Sequence, residues 1–151
     1  MSAIKRQSSF KMHQPADVLF PLFSAEGEKL WVPGWDYKNI SGSERMHEDF
    51  IFLTHGHGDS AQDIIWLVKS YHPEKYTVQF YRVEPEDKVG LVTVRCIEIE
   101  ESVTEVEVTY EYTALGESGR KFIAHFTEDH YKEFIEGWKT HLVHYFHSLS
   151  K

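Results

Sequence analysis

The chain has one cysteine in 151 residues, Cys96, so no disulfide can form within it. Long apolar runs are missing too. The N-terminal MSAIKRQSSF carries two basic residues with no hydrophobic stretch behind them, unlike a signal peptide, and nothing downstream approaches the ~20 apolar residues of a spanning helix. A cytoplasmic location without membrane insertion is the expectation. Positive charge is scarce: 16 Lys and Arg stand against 24 Asp and Glu, a formal net charge of -8. A surface of that sign repels phosphate backbones, so nucleic acid is not an expected partner. Repeats, low-complexity tracts and linkers are absent. The length suits one domain, residues 1–151, able to bury a core without disulfides or structural metal.

What the chain does have is strand-like sequence between two different ends. Residues 7–13 alternate enough for a first strand. Pro15 suits the first turn of a short helix that Pro21 interrupts, and residues 26–31 read as a second short helix ended by Val32-Pro33-Gly34. The next ~80 residues are rich in β-branched and aromatic side chains, with predicted strands over 37–43, 49–55, 63–72, 75–83, 89–100 and 104–113. Their connections are short and polar, which forces antiparallel neighbours and a meander.

Alternation separates the faces. Glu105, Glu107, Thr109 and Glu111 share one side of the last strand, leaving Val106, Val108, Tyr110 and Tyr112 on the other. By the same logic Ile64, Trp66 and Val68 face inward, as do Val78 and Phe80. In the strand over 89–100 the glutamates Glu98 and Glu100 are taken as wet, which places Ile97, Ile99, Arg95, Thr93 and Leu91 on the inner face. From Arg120 to the end the period lengthens to that of a helix: Phe122, Ile123, Phe126, then Tyr131, Phe134, Ile135, Trp138, Leu142, Tyr145, Phe146 and Leu149. Thr127-Glu128-Asp129 offers an N-cap with acids behind it, so the helix starts afresh there or continues unbroken. The piece over 128–149 would span roughly 33 Å, enough to cross a small domain.

Strand, two short helices, antiparallel strands and one long final helix is the order of an α+β helix-grip fold. The segments VLFPLF (18–23), EKLWVPGW (28–35), YEYTALG (110–116) and EGWK (136–139) resemble those of the START-like superfamily, and within it the polyketide cyclase/dehydrase-like group often called SRPBCC. The resemblance runs over essentially the whole chain. It implies a Bet v 1-like curved sheet gripping a C-terminal helix around a hydrophobic cavity, in a superfamily of lipid and sterol carriers, hormone receptors, aromatase/cyclases and co-chaperones.

Candidate site residues follow from the dry faces. Trp66, Phe80, Arg95, Val108, Tyr110, Phe134 and Trp138 are expected to converge on one internal pocket that binds a small hydrophobic or aromatic molecule. Arg95 there would anchor an anion, or else pair with a Glu of the next strand. The tryptophans would stack on a ligand or fill a core. Two rival functions remain: a cyclase/dehydratase-type enzyme in which Arg95 and Tyr110 steer enolate chemistry, and a co-chaperone-like interaction module with a filled interior. No cofactor is implied. The run Phe52 to Ser60, FLTHGHGDS, resembles the THxHxDH box of the metallo-β-lactamase fold, in which His55 and His57 would bind metal. Ser60 stands where the box ends in histidine and no later ligand segment follows, so a glycine-rich hairpin loop with exposed histidines is the expected reading and no metal is expected. An exposed edge beside the first strand offers a route to a homodimer.

Overall fold

The computed structural model describes residues 2–55 and 62–150. Among these residues, seven strands run in chain order as β1 (Ala3–Met12), β2 (Lys38–Asn39), β3 (Ile51–Thr54), β4 (Ile64–His72), β5 (Thr77–Glu84), β6 (Lys88–Glu100) and β7 (Val103–Ala114). The helices are α1 (Ala16–Leu19), α2 (Glu117–His125) and α3 (Glu128–Leu149). All neighbouring strands pair antiparallel in the spatial order β1-β7-β6-β5-β4-β3-β2. Strands β2 to β7 form the expected meander, and β1 returns to lie beside β7, with Ala3 opposite Thr113 and Met12 opposite Thr104.

The helical end splits where its cap residues stand. Phe126 ends α2, and the Thr127 hydroxyl accepts the His130 amide N–H at 3.1 Å to start α3, with Glu128 and Asp129 in the positive first turn. Tyr131, Ile135 and Leu142 bury one stripe of α3, and the Tyr131 hydroxyl donates to the Val108 carbonyl at 2.6 Å. Cys96 lies in the core, where burial pushes its thiol up to about 12 and keeps it protonated. No helix of the described residues is long and apolar enough to cross a membrane.

Three expectations need correction. The strand over 37–43 shrinks to Lys38–Asn39, because the Asn39 side chain accepts from Gly42 N–H and donates to Ser43 carbonyl, closing a turn in which Gly42 has φ 83°. The helix over 26–31 is a single 3₁₀ turn, Gly27–Leu30. The faces of β6 are the reverse of those read from Glu98 and Glu100: Val92, Val94 and Cys96 are buried, while Leu91, Thr93, Arg95 and Ile97 lie on the other side. Glu98 shares the inner phase, but it sits at the sheet's end, where its carboxylate accepts the Ala16 N–H at 3.2 Å at the start of α1. The ladder also slips between Glu98 and Glu100, so a phase extrapolated from the acids inverts the whole strand.

Trp138 ties α3 to the N-terminal segment, stacking on Phe23 at 6.0 Å and meeting Trp31 edge-on at 5.6 Å between ring centroids. It is half-buried, with one side on open cavity. Trp138→Ala should therefore cost about 2 kcal/mol in denaturant unfolding, below the 3–5 of a fully enclosed tryptophan, and a change near zero would contradict this placement.

Candidate functional site

Between the sheet and α3 lies a cavity of about 920 Å³. One face of α3 roofs it through His130, Glu133, Phe134, Gly137, Trp138 and His141, which recur at helical spacing. Trp66 on β4 and Tyr110 on β7 come from the sheet, and Trp31 and Trp35 from the turn after the first helices. The loop over 33–36, His55 and the exposed side chains of α3 form the rim.

The aromatic wall is locked by its own hydrogen bonds. Indole N–H groups donate to protein acceptors from Trp31 (Leu22 carbonyl, 2.8 Å), Trp35 (Ala25 carbonyl, 2.8 Å) and Trp66 (Thr54 hydroxyl, 2.9 Å). Their donors are used, so these rings offer a ligand their faces. Trp66 stacks on Phe52 at 5.6 Å with planes 5° apart, and Tyr110 meets Phe134 edge-on at 5.6 Å.

At one end the wall is charged. Arg82 on β5 donates to Glu84 at 2.8 Å and to the Tyr112 hydroxyl at 3.4 Å, with its guanidinium 5.5 Å from the Trp66 ring. Lys88, only 6 % exposed, reaches Glu84 at 2.9 Å and Asp87 at 3.3 Å and lies 4.0 Å over the Phe122 ring. Two cations thus meet two carboxylates, and the cluster is neutral as it stands. Gly90 opposes Tyr112 across the ladder, where a Cβ would stand 2.8 Å from the ring, so glycine lets Tyr112 lie against β6.

Glu28 is different. It lines the cavity from the 3₁₀ turn, partly exposed, and desolvation pushes its carboxyl from the ordinary 4.5 to about 8, with no hydrogen bond or cation among the described residues acting on it. The neighbouring Tyr110 phenol is raised well above its ordinary value, by burial first and then by the charges of Tyr112, Tyr131 and Glu28.

The expected site residues divide. Trp66, Tyr110, Phe134 and Trp138 line the cavity together. Phe80 and Val108 face the same way but are packed into the core and are not part of the lining. Arg95 is on the outer face, its side chain half-exposed and paired with Glu107 at 3.1 Å, so it neither anchors a ligand nor pairs with Tyr110 for enolate chemistry. The inner guanidinium is Arg82, which holds the inward phase of Val78 and Phe80 along β5. Glu28, Lys88 and Gly137 carried no sequence signal that separates them from surface positions. His55 is exposed, 3.3 Å from Asp63, and His57 with the rest of 56–61 lies outside the described residues. Among the described residues no group of three His, Cys, Asp or Glu side chains is placed to hold a metal.

The unfolded chain releases the Glu28 proton near 4.5 and the folded protein near 8, so between these values the folded state binds more protons and stability falls as pH rises. Glu28→Gln removes that dependence. The variant should melt with the parent at pH 4 and above it at pH 8, by on the order of 5 °C. Equal melting at both pH values would show a hydrated, ordinary carboxylate.

No protein-family model matches the sequence, and no curated protein matches it. Solved structures do match in shape. Ginseng major latex-like protein 151 from Panax ginseng superposes with a TM-score of 0.69 at 16% identity, over 94% of this chain and 96% of that one. Ara h 8.0201 gives 0.68 at 9% identity over 99% of both chains. Norcoclaurine synthase from Thalictrum flavum, solved in complex with dopamine and hydroxybenzaldehyde, gives 0.66 at 12% identity over 94% of this chain and 87% of that one. At such identities the likeness is one of fold: the chain has the helix-grip architecture of the Bet v 1-like proteins.

Proposed function

We propose that this protein binds a small hydrophobic or aromatic molecule in the cavity between the sheet and α3. The observation that carries the reading is the cavity itself: about 920 Å³, walled by aromatic side chains whose orientation is fixed by internal hydrogen bonds. That volume is in the upper part of the range for small-molecule sites, and such sites combine apolar walls with a few placed polar groups. Protein interiors ordinarily close over empty space, so a void of this size kept open by rigid rings favours an occupant. A neighbour of the same fold holding dopamine and hydroxybenzaldehyde supports an aromatic one. Trp66, Tyr110, Phe134 and Trp138 supply ring faces, and Arg82 supplies donors beyond the one nitrogen already engaged. In this reading the chain acts as one domain in the cytoplasm, with a small molecule rather than nucleic acid as partner.

Gly137 gives the test. It lies mid-helix in the roof, where glycine costs about 1 kcal/mol relative to alanine, and an added Cβ there meets no atom within 4 Å. Gly137→Leu should push bulk into the cavity while holding or raising the melting temperature. Binding of N-phenyl-1-naphthylamine, an uncharged apolar fluorophore, should weaken at least ~10-fold in that variant. Unchanged binding in a folded variant would place the ligand elsewhere.

A further inference from the structure

The polar groups of the cavity are unequal in what they leave for a ligand. Arg82 and Lys88 already face Glu84 and Asp87, so an organic acid entering that end finds no unmatched positive charge. Glu28 lines the cavity with its side chain partly exposed, and among the described residues neither a hydrogen bond nor a cation acts on its carboxyl. Its surroundings are aromatic. Glu28 in the 3₁₀ turn and Trp31 directly after it both line the cavity. Trp31 meets Trp138 at 5.6 Å, and Trp138 meets Tyr110 at 6.4 Å, so three contiguous rings line the same cavity as the carboxyl. A carboxyl in a cavity walled by aromatic rings is complementary to an ammonium group, which gains from the ring quadrupoles as well as from the charge.

Resting on the reading of the cavity as a small-molecule site, we infer that its ligand is an organic cation, with an ammonium group seated against Glu28 among Trp31, Tyr110 and Trp138 and an apolar or aromatic body extending toward Trp66. The carboxyl that is costly to ionise in the empty protein becomes one half of a pair when the amine arrives, and its proton is released on binding. An amine therefore binds more tightly as pH rises toward the Glu28 value of about 8. Other ionisable groups also line the cavity: Tyr110 across from the turn, Asp36 and His55 at the rim, His130, Glu133 and His141 on α3, and the Arg82, Glu84, Lys88 and Tyr112 cluster. All of them persist when Glu28 alone is changed, so that change isolates its part.

The experiment is isothermal titration of tryptamine and of 3-propylindole, its uncharged near-isostere, into the parent and into Glu28→Gln. At pH 8 tryptamine should bind the parent at least ~10-fold more tightly than 3-propylindole does, and Glu28→Gln should abolish that gap while leaving 3-propylindole unchanged. Tryptamine affinity should rise about tenfold from pH 6 to pH 7 in the parent and level off above pH 8, while the variant stays flat, because the ligand amine itself remains charged throughout. Normal 3-propylindole binding with no advantage for tryptamine would overturn the cation and leave the cavity reading in place. A pH rise that survives in Glu28→Gln would assign the effect to another group and overturn the role of Glu28. Failure of both probes to bind would remove the cavity reading and the inference together.

Discussion

The contact of Trp138 with Phe23 and Trp31 sets how α3 sits over the sheet. Along one flank α3 lies against β1, and its buried stripe of Tyr131, Ile135 and Leu142 is tied to β7 through the Tyr131 hydrogen bond. Along the other flank, among the described residues, it makes no extended contact with β4 or β5. There the helix rests on aromatic rings carried by the N-terminal turn. Rings are suited to this because they span distance with few rotatable bonds, and three of the indoles are further fixed by donating to backbone or hydroxyl oxygens. Propped on one side and seated on the other, the helix leaves space that a close-packed core would fill.

Charge inside the protein is handled in two ways. At the β5–β6 turn, Arg82, Glu84, Asp87 and Lys88 gather two charges of each sign, with ring faces of Trp66 and Phe122 over the cations. Gly119 lets α2 approach that turn, since a Cβ there would fall on the Asp87 carbonyl. The cluster thus secures the junction of turn, β7 and α2 while lining the cavity. Glu28 is unbalanced, and burial holds its proton on. A desolvated carboxyl without a partner weakens folding above its unfolded-state pKa, and structures keep such groups mostly where a site uses them.

Much of the fold was legible because it rests on local periodicity. The glutamates of β7 stay on one face over its whole length, and the cap at Thr127 marks the start of α3 in sequence as it does in space. The failures have local causes as well. In β6 the acids used to set the phase lie beyond the covered part of the sheet, where Glu98 bonds the start of α1 and the ladder slips. Over 37–43 the propensity for strand was real, but Asn39 turned the chain onto itself after two residues of pairing. In β5, Arg82 keeps the inward phase of Val78 and Phe80, a charged side chain where alternation alone expects an apolar one.

By itself the sequence determined the element order, the wet and dry faces of β4, β5 and β7, the stripe of α3, and the exclusion of a disulfide, because each depends on residues close together in the chain. Whether a dry face is filled or left hollow is a different matter. Phe80 and Val108 share the inner phase with Trp66 and Tyr110, yet the first pair is packed and the second lines open space, a distinction set by how far above each strand the helix lies. The same holds for Glu28, whose i,i+3 neighbours look like any surface turn until the sheet and α3 close around it. Desolvation is a property of everything that surrounds a group, so only the tertiary structure could turn one glutamate among 24 acidic residues into a desolvated acid facing a cavity.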